Sequence, residues 1–357
     1  MCIAYSKQQT FGQRGANKDA MAVTTSASAR AASANDGYAK AIEIKHLVKK
    51  YKSVTAVNDI SLDVYEGEIF GFLGPNGAGK TTTIKTLLGL IFPTSGETLV
   101  LGKPAGDIDV KEKISYLPES PYFYEHMSAR EVVGFYGSLF GLTGEARAKR
   151  VDYLLELVGL EDAKKKTLRA FSKGMLQRVG IAQALINDPK ILFFDEPTSG
   201  LDPIAHRDIR NLILHLKNEG RTIFLSSHQL SDVEMVCDRV SILNKGKLRR
   251  MGPVEELIAG GNVEIIADHV QASDTAMAQL KAITSNIEVV GTKTIITASA
   301  TTDSKNRVLD WVRASSGDVL SVTETRRTLE DIFYETVREG ELSPSETFAP
   351  PSSGEAR

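Results

Sequence analysis

A glycine-rich segment carries the residue types and the spacing of a phosphate-binding loop. Residues 74–81 read Gly-Pro-Asn-Gly-Ala-Gly-Lys-Thr and satisfy the whole pattern G-x-x-x-x-G-K-[ST]. Glycines let successive backbone N–H groups point at one phosphate, Lys80 can reach the outer phosphates, and the Thr81 hydroxyl can hold Mg²⁺. A mostly apolar run at 68–73 predicts a buried strand before the loop, and the pattern over 82–90 predicts a helix after it. The N-terminus of that helix would place the positive end of its dipole at the bound phosphate. Because strand and helix flank the loop, the segment predicts a nucleoside triphosphate site rather than a chance match in a turn.

Two carboxylates close a second apolar run. Residues 191–194 read Ile-Leu-Phe-Phe and are followed by Asp195 and Glu196. Such a strand is expected inside a parallel sheet, whose carboxyl edge is where open α/β sheets bind ligands. Asp195 can hold Mg²⁺ from the side opposite Thr81, and Glu196 can polarise a water toward the γ-phosphate. An acidic pair after a strand is by itself more often a solvated turn, and the loop upstream favours the catalytic interpretation.

Two further segments carry candidate functional residues. Ser172 is an expected helix N-cap, and Gly174 leaves backbone amides open to an anion. His228 follows a strand at 222–226. A lone histidine there is more often structural, but an expected place beside the carboxylates favours a functional role.

The elements that must position these residues alternate between strands and helices, which predicts a largely parallel α/β sheet. Strands at 42–45 and 56–64 precede the loop, and 127–187 is expected to be helical. Beyond Ile258 the pattern predicts β-α-β-β-α-β, the ferredoxin-like order, with a hairpin turn at 291–293, and then a final helix at 329–337. We expect this second unit to fold separately, so that a chain ending at Gly261 stays folded and binds ATP.

Composition excludes several classes of protein. The net charge of −2 gives no basic footprint for nucleic acid, two cysteines indicate no disulfide framework, and no apolar run approaches the roughly 18 residues of a membrane span. Residues 1–38 are predicted to be a disordered extension, with an organellar transit peptide as the alternative and the true start open between Met1 and Met21. The tail at 341–357 is also predicted to be disordered.

Five ordered motifs identify a family. The chain resembles the nucleotide-binding subunits of bacterial ABC (ATP-binding cassette) exporters over about residues 40–255, on the motifs at 74–82, 171–177, 191–197, 199–202 and His228. The form Phe-Ser-Lys-Gly-Met at 171–175 and the extra C-terminal unit are similar to the branch that exports drugs, antibiotics, polysaccharides or lipids. The resemblance implies a P-loop ATPase domain at 39–257, with an antiparallel β subdomain and a helical subdomain, and a C-terminal α+β accessory domain at 258–340.

The resemblance also implies residue roles. Tyr51 would stack on adenine, with packing on the small sheet as the alternative, and Lys80, Glu196 and His228 would be catalytic. Asp202 would couple two sites across a dimer. The other implied ATP contacts are Gly74, Pro75, Asn76, Gly77, Ala78, Gly79, Thr81 and Thr82 in the same chain and Ser172, Lys173, Gly174 and Met175 from a second chain.

Two departures from the family pattern stand out. Glu119 stands where the family usually has a glutamine that contacts Mg²⁺. The candidate Mg²⁺ ligands are therefore Thr81 and Asp195, with Glu119 as a third candidate. Lys173 and Met175 replace the commoner glycine and glutamine of the signature, but the anion-binding serine and glycine remain and activity is expected to survive.

The expected function is Mg-dependent ATP hydrolysis that energises export. The implied partners are a separate integral membrane permease and a second cassette, either a copy of this chain or a homologous ATPase. The expected place is the cytoplasmic face of the membrane, and the aromatic loop at 120–124 would meet the permease or form a small apolar cluster. Soluble ABC ATPases that act on DNA or ribosomes are the alternative, and an ATP-binding module without useful hydrolysis is a third.

Overall fold

The computed structural model describes residues 39–339. The segments predicted to be disordered, 1–38 and 341–357, lie outside the described residues. Up to residue 258 the elements are, in chain order, β1 (Lys40–Tyr51), β2 (Val54–Tyr65), β3 (Ile69–Leu73), α1 (Lys80–Leu87), β4 (Ser95–Val100), β5 (Lys103–Pro104), α2 (Ile108–Lys111), β6 (Ile114–Leu117), α3 (Ala129–Leu139), α4 (Gly144–Leu157), α5 (Lys173–Ala184), β7 (Ile191–Asp195), α6 (Pro203–Asn218), β8 (Thr222–Ser227), α7 (Leu230–Val236), β9 (Arg239–Asn244), β10 (Lys247–Pro253) and α8 (Val254–Leu257). They are followed by β11 (Asn262–Asp268), α9 (Asp274–Ile283), β12 (Asn286–Val290), β13 (Lys293–Ser299), α10 (Thr302–Ala314), β14 (Asp318–Thr325) and α11 (Leu329–Glu339).

A six-stranded sheet forms the centre of the cassette, in the order β10-β9-β3-β8-β7-β6. All pairs are parallel except the edge pair of β9 and β10. Every residue of β3 and β7 is buried, as expected for strands covered on both faces. Phe70, Phe72 and Phe193 gather around Phe224, with ring centroids 5.1–5.7 Å apart. This aromatic layer holds the strand ends that carry the predicted chemistry.

Two further layers flank the central sheet. A four-stranded antiparallel sheet, in the order β2-β1-β4-β5, supplies buried residues such as Ile42, Ile44 and Val57 to the aromatic layer. The stretch predicted to be helical becomes α3, α4 and α5. Ser128 and Glu131 form a reciprocal capping box at the start of α3, which fixes where that helix begins.

The C-terminal strands follow the predicted β-α-β-β-α-β order. They form an antiparallel sheet in the order β12-β13-β11-β14. Its core contains Val263, Ile265, Ile296 and Trp311 and is separate from the two cores of the cassette.

The last helix corrects the predicted domain boundary. Leu329 and Ile332 of α11 are 0% and 1% exposed and belong to the cassette core, with Val233 and Val240. The backbone N–H of Leu329 donates to Glu234 Oε2 of α7 at 2.9 Å. The unit predicted at 258–340 therefore divides: residues 262–325 form the small sheet with its helices, and α11 packs on the cassette because its apolar face is buried there. Within residues 39–339, no helix is both long enough and apolar enough to span a bilayer.

Candidate functional site

The predicted phosphate-binding loop connects β3 to α1. Gly77 and Gly79 adopt φ values of 79° and 106°, which side chains rarely tolerate. A Cβ on Gly79 would also stand 2.5 Å from the carbonyl oxygen of Ala56. Among residues 39–339, no side chain caps the N-terminus of α1, so its amides remain available to an anion.

Lys80 starts α1 and is 8% exposed. Its Nζ donates to the carbonyl oxygen of Gly74 at 2.7 Å and lies 3.5 Å from Glu196 Oε1. The ammonium is thus held inside the loop and beside the predicted general base.

One cavity of about 340 Å³ collects most of the predicted site residues. Its lining consists of Tyr51, Ala56, Pro75, Asn76, Gly77, Ala78, Gly79, Lys80, Thr81, Thr82, Glu119, Asp195 and Glu196. Gly74 lies at the base of the loop, where a Cβ would stand 2.7 Å from the carbonyl oxygen of Leu243. The sheet therefore brings the loop, both carboxylates and the predicted adenine-side tyrosine to one place.

Asp195 is held by three hydroxyl groups. Its Oδ2 accepts from Thr81 at 3.2 Å and from Tyr116 at 3.3 Å, and its Oδ1 accepts from Ser226 at 2.5 Å. Burial and the neighbouring carboxylate of Asp195 raise the pKa of Tyr116 above its ordinary value, so its hydroxyl remains a donor. Sequence reasoning missed Tyr116 and Ser226. Their places at the carboxyl ends of the two strands that flank β7 were the available signal.

The donor set fits Mg²⁺. Thr81 and Asp195 present hard oxygen atoms 3.2 Å apart, and Mg²⁺ in nucleotide sites takes one or two protein oxygens beside phosphates and water. In the part of the chain that is described, no group of three or more His, Cys, Asp or Glu residues could form an all-protein metal site. The third candidate, Glu119, also lines the cavity and accepts from Ser199 Oγ at 3.4 Å.

Glu196 and His228 form a close polar contact at the sheet edge. His228 Nδ1 lies 2.6 Å from Glu196 Oε2, and the His228 backbone N–H donates to the same oxygen at 3.1 Å. Glu196 has a φ of 51°, an unusual value for a glutamate, and is 8% exposed. Strained backbone at an active site re-aims a side chain at a cost of order 1–3 kcal/mol. The predicted base and the predicted γ-phosphate ligand are thus neighbours.

Tyr51 is available for stacking. The residue is 45% exposed, and Lys49 Nζ lies over its ring, 5.0 Å from the ring centroid. Because it lines the cavity, a base could stack on this ring while the triphosphate follows the loop.

The signature residues, which are the residues 172–175 predicted to contact ATP bound to a second chain, lie outside the loop cavity. Ser172 caps α5 by accepting from the Met175 backbone N–H at 3.3 Å, and Asp202 caps α6. Ser172, Gly174, Met175 and Asp202 line a second concavity of about 460 Å³ that shares no lining residue with the loop cavity. The Lys173 ammonium lies beside Gly200, 2.5 Å from where a Cβ of that glycine would stand. One chain therefore does not bring the signature to its own loop.

The aromatic loop at 120–124 is partly buried and partly exposed. Phe123 is 7% exposed and joins the cassette core, whereas Tyr122 and Tyr124 are 88% and 66% exposed.

Comparisons with known proteins find relatives of this chain in one family. Residues 57–199 match the family model described as ABC transporter. An ABC transporter ATP-binding protein of Nostoc sp. is 42% identical over 299 residues, 83% of this chain and 88% of that protein. The bacitracin transport ATP-binding protein of Bacillus licheniformis is 42% identical over 219 residues, 60% of this chain and 71% of that protein. A solved dimeric ATP-binding cassette in a post-hydrolysis state with ADP and Pi is similar at TM-score 0.55 and 27% identity, covering 60% of this chain and 98% of that one.

Proposed function

This chain belongs to the ABC transporter ATP-binding protein family, and we propose that it energises export through a separate permease as one of two paired cassettes. It is an ATP-binding and ATP-hydrolysing transporter subunit. The relative named for bacitracin transport supports a transport role, and the direction, export, rests on the family resemblance of residues 171–175 and of the C-terminal unit. In the proposed setting the chain is held at the cytoplasmic face of the membrane by the permease and binds no nucleic acid.

The residues of the loop cavity are proposed to have separate roles in binding and hydrolysis. Backbone N–H groups within residues 76–82 and the Lys80 ammonium bind the phosphates. Thr81 and Asp195 would hold Mg²⁺, which neutralises phosphate charge when bound. Glu196 orients and deprotonates the attacking water, and His228, 2.6 Å from Glu196, keeps that carboxylate aimed and contacts the γ-phosphate.

The observation that carries the proposal is the separation of the two concavities. The loop cavity holds the phosphate and carboxylate groups, and the other concavity holds Ser172, Gly174 and Asp202. A two-fold axis between two chains can place each signature over the partner's loop and so complete two equal sites. The solved dimeric cassette with ADP and Pi supports this pairing.

A mixing experiment tests the two-chain site. Lys80→Ala removes the phosphate-binding ammonium, and Ser172→Arg blocks the signature, so each variant alone should lose ATPase activity. A one-to-one mixture should regain up to about a quarter of the wild-type rate, because half of the dimers are mixed and each contains one complete site. Full activity of Ser172→Arg alone, or a mixture as inactive as its parts, would contradict the two-chain site.

The permease is proposed to contact the aromatic loop. Tyr122 and Tyr124 project from a loop that Phe123 anchors in the core, which is the arrangement of an interface with aromatic anchors. A Tyr122→Ala/Tyr124→Ala chain should lose retention on membranes that contain the permease and keep its basal ATPase rate. Tyr334→Ala, which removes an exposed tyrosine of α11, is the control and should be retained. Retention equal to wild type in the double variant would exclude this interface.

Residues 262–325 are proposed to be a ferredoxin-like accessory domain. They have their own core and contribute no residue to either concavity, so a role in dimerisation or in coupling to the permease suits them better than nucleotide binding.

A further inference from the structure

Two hydroxyl groups approach Asp195 from the strands on either side of it. Asp195 ends β7, which lies between β6 and β8 in the central sheet. Tyr116 belongs to β6 and reaches Asp195 Oδ2 at 3.3 Å; Ser226 belongs to β8, directly opposite Asp195 in the register, and reaches Oδ1 at 2.5 Å. Each oxygen of the carboxylate therefore has one donor from a neighbouring strand, and rotation about the last side-chain bond would break both hydrogen bonds.

We propose that Tyr116 and Ser226 are positioning residues that fix the Asp195 carboxylate in the orientation that serves Mg²⁺. The proposal rests on the metal role proposed for Asp195 above. Hydrogen bonds to metal-ligating groups orient them, and loss of such a partner typically lowers metal affinity 10–100-fold.

Ser226 is built into this contact. It is fully buried, and its Oγ donates to Asp195 and accepts from the Glu196 backbone N–H at 3.3 Å. The Glu196 N–H also donates to the carbonyl oxygen of Ser226 at 3.0 Å, so Ser226→Ala removes the contact to Asp195 without leaving that amide unpaired.

Tyr116 has a second role that must be separated from the first. Its ring packs against the aromatic layer, whereas its hydroxyl contacts Asp195. Tyr116→Phe keeps the ring and removes only the donor.

The test compares nucleotide binding with and without metal. Isothermal titration of the full chain with the non-hydrolysable analogue AMP-PNP, in Mg²⁺ and in EDTA, gives two Kd values whose ratio is the gain due to metal. We expect Tyr116→Phe and Ser226→Ala each to reduce that gain by about 10-fold or more, with the Kd in EDTA unchanged.

Matched controls separate positioning from stability. Ser241→Ala removes another fully buried serine, whose Oγ has no partner among the described residues, and Tyr136→Phe removes the hydroxyl of a partly buried tyrosine of α3. Both should leave the gain and the Kd in EDTA unchanged.

One result would overturn the proposal: an unchanged gain in Tyr116→Phe and Ser226→Ala, whether both Kd values are unaltered or affinity falls equally in Mg²⁺ and in EDTA. Asp195→Asn shows whether the positioning role or the metal role of Asp195 is wrong. If Asp195→Asn loses the gain while the two variants keep it, only the positioning role is wrong. If Asp195→Asn also keeps the gain, the metal role of Asp195 is wrong and the positioning role falls with it.

Discussion

Removing the core contacts of α11 should destabilise the cassette itself, although the helix begins more than 130 residues after Glu196, the nearer of the two site carboxylates in the sequence. Ile332 is 1% exposed and packs in the cassette core with Leu329, Val233 and Val240. The perturbation is Ile332→Ala, which deletes three carbon atoms from that core. The surrounding residues lie on α7 and β9, two elements that follow His228 in the chain.

The expected magnitude follows from burial. A fully buried isoleucine changed to alanine typically lowers the free energy of unfolding by about 2–5 kcal/mol, because apolar contact is lost and a cavity remains. For a domain of this size each kcal/mol lowers Tm by about 2–4 °C, so Tm should fall by about 4–20 °C. Tyr334→Ala, at a 56% exposed position of the same helix, should change the free energy of unfolding by no more than about 0.5 kcal/mol.

The assay is thermal unfolding of three chains: full length, full length with Ile332→Ala, and a chain ending at Gly261. Both altered chains should melt below full length, and Mg-ATP should raise the melting temperature of any chain that still binds it. A chain ending at Gly261 that melts with the full-length cassette would refute the packing argument and restore the predicted boundary at 258.

Two of the remaining predictions concern the site, and one concerns a buried cysteine. Gly79→Ala should abolish ATP binding in an equilibrium titration, because its Cβ would stand 2.5 Å from the Ala56 carbonyl oxygen. Gly77→Ala is the control and should still bind ATP measurably, because no atom of the described residues beyond its chain neighbours lies within 4 Å of its Cβ. An equal loss of ATP binding in both variants would refute the steric argument. Glu119→Gln should raise ATP affinity or rate a few-fold by removing negative charge beside the phosphates, whereas a large loss restored by excess Mg²⁺ would make Glu119 a metal ligand. Cys237, whose thiol pKa burial raises well above its ordinary range, should react with iodoacetamide only as fast as the protein unfolds; rapid labelling at Cys237 of the folded chain, assigned by peptide mass spectrometry so that Cys2 is counted separately, would contradict its burial.

Local sequence pattern was sufficient for the loop and for the elements that carry it. The G-x-x-x-x-G-K-[ST] run places glycines where the loop has positive φ values, and the apolar run before Asp195 is typical of a strand buried inside a parallel sheet. Both predictions depend on neighbouring residues only. The β-α-β-β-α-β order of the C-terminal strands also follows from alternation and turn residues, and it agrees with the observed elements.

Long-range partners could not be predicted in the same way. The apolar face of α11 could have covered the small sheet or the cassette, because helical periodicity shows that a face is buried and not what covers it. Tyr116 in a strand is equally compatible with packing, and its hydroxyl contact exists only because β6 and β7 lie side by side. Glu196 at a φ of 51° contradicts local propensity, as residues at functional sites often do.

The most direct test of the central claim is the mass of the Glu196→Gln chain in Mg-ATP. Loss of the general base should nearly abolish turnover and leave ATP between two chains, so light scattering after size exclusion should give twice the 38.8 kDa monomer mass, returning to the monomer in EDTA. A Glu196→Gln chain that stays monomeric in Mg-ATP and hydrolyses ATP at the wild-type rate would contradict both the role of Glu196 and the two-chain site.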